Sequence, residues 1–458
     1  MIRLLNAKVF FAAALTGLLS MVPGSDAAQA SSMPFSAQPQ HMILTKGAPS
    51  TQLLAAIEDA GAEVVFSHDI GFVFARGLDS ISAESLTAVR GVTDVQGDQW
   101  FSADEPQFTD AIESPEVFSP DDPSQAFFYP LLQWNMPAIS AETAWEAGRT
   151  GSPDVTVAIL DTGIDYQHLD LQGRVDLSRS VSFVEIDDLF AQAFFPDRNL
   201  IADLHFHGTH VAATAVSNSI VAAGVTSKPT LMGVKVCTFT DFSCSFAAVI
   251  SGILHAVDNG ADVVNLSLGG GFPKAGNGRF VGFINNIFNY ARRNGSTMVV
   301  SAGNAATDLD KNGNIFASYC DAPGVICVSA TGPTSSEGET GPWFEVDAPA
   351  DYTNFGRSSI SVAAPGGNTG GSVWAACTTT SFVLPFSCGP DSVLGISGTS
   401  MSAPHVSGLA ALIAEDVGSR PGRVKSAIQK GADDLGQRGT DKFYGKGRIN
   451  VGKTLGLN

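Results

Sequence analysis

The sequence predicts an α/β fold, a parallel and doubly wound sheet with helices on both faces, preceded by a small α+β unit. From about residue 131 onward, short apolar runs alternate with segments of helical periodicity, a pattern typical of a parallel sheet covered on both faces. The chain has 458 residues, more than a typical single domain, so a large body with a smaller companion is expected.

The apolar runs of the large body are short enough for strands, and the periodic segments are long enough for helices. The predicted strands are Val155–Leu160, Leu231–Val236, Val263–Leu268, Thr297–Ser301 and Val325–Ser329, and the predicted helices are Phe246–Asn259, Phe280–Asn294 and Ser400–Glu415. In such sheets the functional residues collect beyond the carboxyl ends of the strands. Asp161 follows the first run directly, so it is expected at that edge.

Residues 1–30 have the pattern of an export signal. Arg3 and Lys8 form a basic start, Val9–Val22 carries no charge, and Ala28–Ala30 has the small-x-small pattern that a signal peptidase accepts. The uncharged stretch is shorter than the roughly 20 residues that span a bilayer. The pattern therefore predicts a secreted, extracellular protein without a membrane anchor.

The chain after this signal divides into three parts. Residues 31–100 predict a small α+β unit, residues 101–130 are rich in Pro, Asp, Glu and Ser and predict an exposed linker, and residues 131–458 form the large body. In the small unit, Met42–Leu44, Ala62–Phe66 and Gly71–Ala75 resemble strands, whereas Thr51–Ala60 and Ser82–Val89 have helical spacing.

The charge balance excludes some classes of partner. The formal net charge is -19, whereas nucleic acids and anionic membrane surfaces need clustered Lys and Arg. Hydrophobic residues make up 44% and charged residues 16% of the chain, a balance that suits a well-packed globular protein. We therefore expect neither a nucleic acid nor a membrane as partner.

The six cysteines lie as three close pairs, which are Cys237 with Cys244, Cys320 with Cys327 and Cys377 with Cys388. Proximity alone suggests that each pair staples a local loop, although six cysteines allow about 15 connectivities. A zinc site is the competing interpretation, but the CxxC spacing is absent. An oxidising compartment favours disulfides.

Three separated segments supply an acid, a base and a nucleophile in the chain order Asp161, His207, Ser400. A serine hydroxyl needs a base to take its proton, and a carboxylate can hold that base in the right tautomer. Ser400 follows Gly398 at the start of a predicted helix, whose amino end is electropositive. Asn304, after the strand that ends at Ser301, supplies an amide that could stabilise a developing oxyanion.

Other interpretations of these segments are weaker. Ser402 replaces the second glycine of the G-x-S-x-G pattern of α/β-hydrolases. His205, His207 and His210 suggest a metal cluster, but the HExxH spacing is missing. Asp161, His207 and Ser400 in this chain order, together with Asn304, therefore favour nucleophilic catalysis.

These segments resemble the subtilisin-like serine peptidases, or subtilases. Leu266–Gly271 is similar to the substrate-binding strand of the proteinase K branch, and Tyr444–Asn450 resembles the closing segment of the same catalytic domain. The likeness spans about residues 131 to 458. Residues 41–100 resemble the ferredoxin-like subtilase propeptide, which assists folding and then inhibits.

The resemblance implies peptide-bond hydrolysis through an acyl-enzyme. Ser400 would be the nucleophile, His207 the general base, Asp161 the orienting carboxylate and Asn304 the oxyanion donor. Ser267, Leu268 and Gly269 would pair with an extended substrate, and Ala302 and Gly303 would wall the pocket before the cut. The processing site would lie in the linker, and no cofactor would be required.

Two departures from the family pattern matter. Residues 183–204 look like an insertion near the cleft, and the loop 216–224 is shorter than in calcium-rich subtilisins. Asp170 matches a calcium-ligand position, but one carboxylate falls far short of the roughly six to eight oxygens that calcium takes. Structural calcium is therefore only an open alternative, which rests on the resemblance alone.

Two other functions stay open at this point. A subtilase fold without activity could act as a binding protein, and an esterase would use the same nucleophile. The expected protein is a secreted monomer that is made as a zymogen. Its expected partners are protein or peptide substrates and its own propeptide, which inhibits it. A comparison of peptide and ester substrates would separate the enzyme classes.

Overall fold

The computed structural model describes residues 38–103, 107–114, 122–317 and 319–457. The predicted signal, residues 1–30, and parts of the predicted linker lie outside the described residues.

Residues 40–97 form an α+β unit in the element order β-α-β-β-α-β. Its strands are β1 (Gln40–Thr45), β2 (Glu63–His68), β3 (Phe72–Arg76) and β4 (Val92–Gly97), and its helices are Thr51–Asp59 and Ser80–Leu86. The antiparallel sheet has the strand order β2-β3-β1-β4. This is the ferredoxin-like arrangement that the resemblance predicts.

Two described segments at residues 100–113 are strands, although composition predicts an exposed linker over residues 101–130. Strand β5 (Trp100–Ser102) and strand β6 (Gln107–Glu113) both pair with strands of the large body. Composition misses them because strand pairing depends on the partner backbone, which lies far away in the sequence.

The large body contains the remaining elements. Its strands are β7 (Thr156–Asp161), β8 (Val181–Ser182), β9 (Thr230–Lys235), β10 (Ser243–Ser245), β11 (Val263–Leu266), β12 (Gly271–Pro273), β13 (Thr297–Ser301), β14 (Ile315–Ala317), β15 (Ile326–Thr331), β16 (Ser335–Ser336), β17 (Trp343–Phe344), β18 (Val362–Pro365), β19 (Val373–Ala376) and β20 (Ser392–Ser397). Its α-helices are Tyr129–Leu132, Asn135–Ala138, Ala141–Glu146, Glu185–Phe194, His207–Ala215, Phe246–Asp258, Gly278–Arg293, Thr399–Val417, Pro421–Gly431 and Val451–Thr454.

Among the described residues, seven of these strands form one sheet in the order β18-β15-β13-β11-β7-β9-β8. Every neighbouring pair is parallel, so the predicted parallel sheet is confirmed. The five predicted strands lie within two residues of the observed ones at each end, whereas β18 and the short β8 carry no clear pattern of their own.

The two faces of this sheet bury different side chains. Along β7, Val157 and Ile159 pack in the cluster that contains helices His207–Ala215 and Thr399–Val417, whereas Ala158 and Leu160 pack against helices Phe246–Asp258 and Gly278–Arg293. Successive strand residues point to opposite faces, and both faces are buried. The continuous apolar runs in the sequence follow from this double covering.

The small unit packs one face of its sheet on the large body. Met42 and Phe74 belong to the same buried cluster as helices Phe246–Asp258 and Gly278–Arg293. Phe72 stacks on Phe283 with ring centroids 5.7 Å apart. On the other face, Ile43 and Val73 pack against the unit's own helices.

The cysteines pair as their spacing predicts. The structure joins Cys237 to Cys244, Cys320 to Cys327 and Cys377 to Cys388. The predicted insertion contains helix Glu185–Phe194. Arg198 ties this insertion to Asp165 at 2.7 Å.

Candidate active site

Asp161 and His207 meet beyond the carboxyl end of the central strand. Asp161 is the last residue of β7, and its Oδ1 lies 2.7 Å from Nδ1 of His207. Both side chains are buried. Since a carboxylate only accepts hydrogen bonds, Nδ1 carries the proton and Nε2 is the basic nitrogen. Gly163 turns the chain away with φ +120°, and a Cβ there would meet the Ile201 carbonyl oxygen.

Ser400 lies in the first turn of helix Thr399–Val417 and is 4% exposed. Its hydroxyl donates to the carbonyl oxygen of Ser267 at 3.0 Å, and the Ser267 hydroxyl donates back to the Ser400 carbonyl at 2.7 Å. Nε2 of His207 has no hydrogen-bond partner among the described residues. Bonds between nucleophile and base are often loose before substrate is bound, so this geometry is compatible with catalysis.

Asn304 is fixed by the residue that precedes Ser400. Its Oδ1 accepts from the Thr399 backbone N–H and from the Thr399 hydroxyl, both at 2.8 Å. The Thr399 hydroxyl also accepts from the N–H of Gly303 at 3.0 Å. The carbonyl end of the Asn304 amide is therefore turned toward Thr399, and its NH2 end is turned away.

A second buried carboxylate, which sequence reasoning missed, supports the first pair. Asp203 accepts the Thr162 hydroxyl at 2.9 Å, and it accepts both the N–H and the hydroxyl of Thr209, at 2.9 Å and 2.6 Å. Burial raises its pKa, while these hydrogen bonds oppose that rise. Because Thr162 follows Asp161 and Thr209 lies two residues after His207, Asp203 fixes both segments. The available sequence signal was an Asp four residues before His207.

The histidines near His207 do not converge on one point. His210 lies 3.1 Å from the carbonyl oxygens of Val373 and Leu394, and burial lowers its pKa to about 3. His205 lies between the rings of Phe206 and Phe242. In the described part of the chain, no three His, Cys or acidic side chains come together as a metal site requires.

Asp170 is used as a structural anchor. Its carboxylate accepts the backbone N–H groups of Ile220, Val221 and Ala222 at 2.8 to 3.0 Å. Burial raises the pKa of this carboxyl group. Through these three hydrogen bonds Asp170 fixes the loop 216–224. The role of Asp170 as a calcium ligand stays a prediction.

Strand β5 lies along one side of the cleft. Trp100–Ser102 pairs antiparallel with β10, and the Ala103 N–H donates to the carbonyl oxygen of Phe242 at 2.9 Å. Phe101 packs on Phe246 with ring centroids 4.8 Å apart. A Cβ on Gly270 would lie 2.7 Å from that of Phe101, so Phe101 lies directly beside the predicted substrate strand Ser267–Gly269.

Strand β6 lies along the other side. Gln107–Glu113 pairs antiparallel with β20, which leads directly into Gly398, Thr399 and Ser400. The same stretch of chain therefore touches the walls of the cleft both before and after residues 104–106. Sequence reasoning missed both β10 and β20 as parts of the cleft.

Comparison with known proteins decides the family. The family model Peptidase_S8, described as the subtilase family, matches residues 152–447. The chain belongs to the subtilase family. It is a serine endopeptidase, which acts on proteins or peptides, and members of this family need no cofactor for catalysis.

Two curated relatives and one solved structure illustrate the likeness. Thermitase of Thermoactinomyces vulgaris is 30% identical over 342 residues, 74% of this chain and 99% of the relative. The thermophilic serine proteinase of Bacillus sp. strain AK1 is 30% identical over 70% of this chain and 67% of the relative. The epidermin leader peptide processing serine protease of Staphylococcus aureus matches with a TM-score of 0.67 at 17% identity, over 92% of this chain and 99% of that one.

The finer likeness to the proteinase K branch stays a prediction from the motifs. Within the residues that the structure describes, no helix is both long and apolar enough to cross a membrane.

Proposed function

We propose that this subtilase is an exported endopeptidase that works through an acyl-enzyme and is made as a zymogen that cuts itself. The observation that carries the chemistry is the 2.7 Å contact between Asp161 and His207, on a helix that packs against the helix with the buried Ser400 in its first turn. Ser400 is the nucleophile, His207 the general base, Asp161 the orienting carboxylate and Asn304 the oxyanion donor.

The proposed reaction follows from these positions. The Ser400 hydroxyl turns from the Ser267 carbonyl to Nε2 of His207, gives up its proton there, and its oxygen bonds to the substrate carbonyl carbon. The Asn304 NH2 and the Ser400 N–H stabilise the oxyanion. His207 returns the proton to the leaving amine as the C–N bond breaks, and water then hydrolyses the ester by the same route.

Substitution of the nucleophile tests this mechanism. Ser400→Ala should lower casein hydrolysis by at least about 10^4-fold, because the hydroxyl that forms the acyl-enzyme is gone. Equal hydrolysis by the variant and the parent would reject the assignment. A panel of matched peptide and ester substrates then separates the endopeptidase from an esterase, and a parent protein that cleaves neither would be the silent binding protein.

The zymogen part of the proposal is supported by the residues that lie on the two walls of the cleft, before and after residues 104–106. Ala103 is bonded to one wall, at Phe242, and Gln107 pairs with Ser397 on the other wall. The cut therefore falls between Ala103 and Gln107, a narrower range than the predicted junction within residues 101–130. The ferredoxin-like unit, packed on helices Phe246–Asp258 and Gly278–Arg293, then remains as an inhibitor until it leaves.

The ends of the two products test this layout. The released unit should end, and the body should begin, between residues 103 and 107, and Ser400→Ala should remain uncut. Mass spectrometry of the first products measures both ends. A first cut at residue 31, or within the body beyond residue 122, would contradict the proposal.

Export is supported by two features of the chain. Residues 1–30 carry the signal pattern, and the paired cysteines of the body suit an oxidising compartment. Deletion of residues 1–30 should leave the protein inside the producing cell, and fractionation of cells and medium checks this. The same yield in the medium without these residues would contradict it.

A further inference from the structure

Phe242 has an unusual backbone conformation for an aromatic residue. Its φ is +46°, in the left-handed region that bulky side chains rarely adopt. Strain of this kind persists where the surroundings determine the conformation, and it concentrates at functional sites. The ring is 2% exposed.

The loop that carries Phe242 is closed at its base. The disulfide Cys237–Cys244 joins its two ends. Inside it, the Thr238 N–H donates to the carbonyl oxygen of Ser243 at 2.8 Å, and the Thr238 hydroxyl donates to Asp241 at 2.7 Å. The ring of Phe242 is therefore held by a short, cross-linked loop.

Phe242 contacts both the base and the chain that occupies the cleft. Its ring centroid lies 4.5 Å from that of His207 and 5.0 Å from that of His205. Its carbonyl oxygen accepts the N–H of Ala103 at 2.9 Å. Ala103 is 6% exposed and belongs to the same buried apolar cluster as Phe242.

We propose that Phe242 is a specificity-determining residue, which fills the space beside His207 so that only a small side chain fits at the substrate position held here by Ala103. The inference rests on the proposed function and takes substrates to follow the path of residues 100–103. A larger side chain has to displace either the ring of Phe242, which the loop holds, or His207. Displacement of His207 breaks its 2.7 Å contact with Asp161.

Peptides with the sequence of residues 98–112 test this proposal directly. The processed enzyme is given four versions, with Ala, Gly, Val or Leu at position 103, and kcat/KM is measured per fluorophosphonate-titrated active site. Misfolded protein is thereby left out of the rates. We expect the parent enzyme to favour Ala over Leu by at least about tenfold, the scale on which a tight apolar pocket separates side chains.

Two enzyme variants identify the source of that preference. Phe242→Gly, which suits the positive φ, should reduce the Ala-to-Leu ratio to about threefold or less by accelerating the Leu peptide. Phe239→Ala is the matched control, because Phe239 lies in the same loop but packs on Phe190 and Phe382. It should retain the parent ratio.

The full chain offers a second measurement. Ala103→Leu should slow self-processing, and the addition of Phe242→Gly should restore it. The proposal is overturned if the parent cleaves the Ala and Leu peptides equally, or if Phe242→Gly keeps the parent ratio. Failure of the proposed function has another signature, since Ser400→Ala would then cleave the Ala peptide as fast as the parent.

Discussion

The large body and the small N-terminal unit are stabilised in different ways. The body covers both faces of its own sheet and closes loops with disulfides. The unit covers one face of its sheet with its own helices, whereas the other face packs on the body. The body is thus complete without the unit, which depends on the interface between them. A change in the site should alter the chemistry, and a change at the interface should alter only the release of the unit.

The largest effect is expected at the carboxylate of the site. Asp161→Asn should lower kcat by about 10^4-fold. The amide favours the wrong tautomer of His207, and it does not stabilise the imidazolium that forms during the reaction. Steady-state kinetics on a peptide substrate measures this, with thermal unfolding as the control for folding. A loss below about tenfold would remove Asp161 from its proposed role.

The oxyanion donor should come next. Asn304→Ala should lower kcat by about 10^2- to 10^3-fold with little change in KM, because the lost contact forms mainly in the transition state. Asn304→Asp is the matched variant, since it keeps an acceptor for Thr399 but loses the NH2 group. A comparable loss in both variants assigns the effect to that NH2.

A change at the interface between the small unit and the body should alter the rate at which the cut unit leaves, and not the kcat of the released enzyme. Phe283→Ala removes the ring that stacks on Phe72, at a cost of roughly 3 kcal/mol, so the cut unit should leave about a hundredfold faster. Recovery of activity after processing measures the release. Peptide hydrolysis by the fully released enzyme should match the parent; a lower kcat would contradict the separation of the two regions.

Asp98 should make this release depend on pH. The carboxylate accepts from the Ser245 hydroxyl and from the Ala247 N–H at the start of helix Phe246–Asp258, and burial raises its pKa from 3.8 to about 6. Proton uptake therefore favours the bound unit: its hold is strongest below pH 3.8 and weakens as the pH rises to 6. Release should accelerate about tenfold or more between pH 4 and pH 7, and Asp98→Asn should flatten this dependence.

The smallest effect is expected at the rim of the interface. Nε2 of His68 lies 2.9 Å from Asp258, whose side chain is 38% exposed. Exposed ion pairs contribute less than about 1 kcal/mol, so His68→Ala should accelerate release by no more than about fivefold. The same release assay measures this effect. An acceleration as large as that of Phe283→Ala would contradict the expectation that the rim contributes less than the aromatic contact.

The sequence predicts those parts of the site that are local in the chain. Asp161, His207 and Ser400 stand in distinctive short motifs at the ends of predicted elements, and the cysteine pairs are close in sequence. The position of Phe242 beside the cleft could not be predicted, because a loop residue with positive φ leaves no periodic pattern in the sequence. Strands β5 and β6 were missed for a related reason: their partners lie more than a hundred residues away.

The pairing of β5 and β6 with the two sides of the cleft has a consequence for how the proposed self-cut should depend on concentration. A polypeptide that already lies on both walls of its own cleft needs no second molecule to deliver the bond to Ser400. Maturation is then a first-order event, whose half-life does not change on dilution. On this proposal, each molecule would be processed at its own rate once its body has folded.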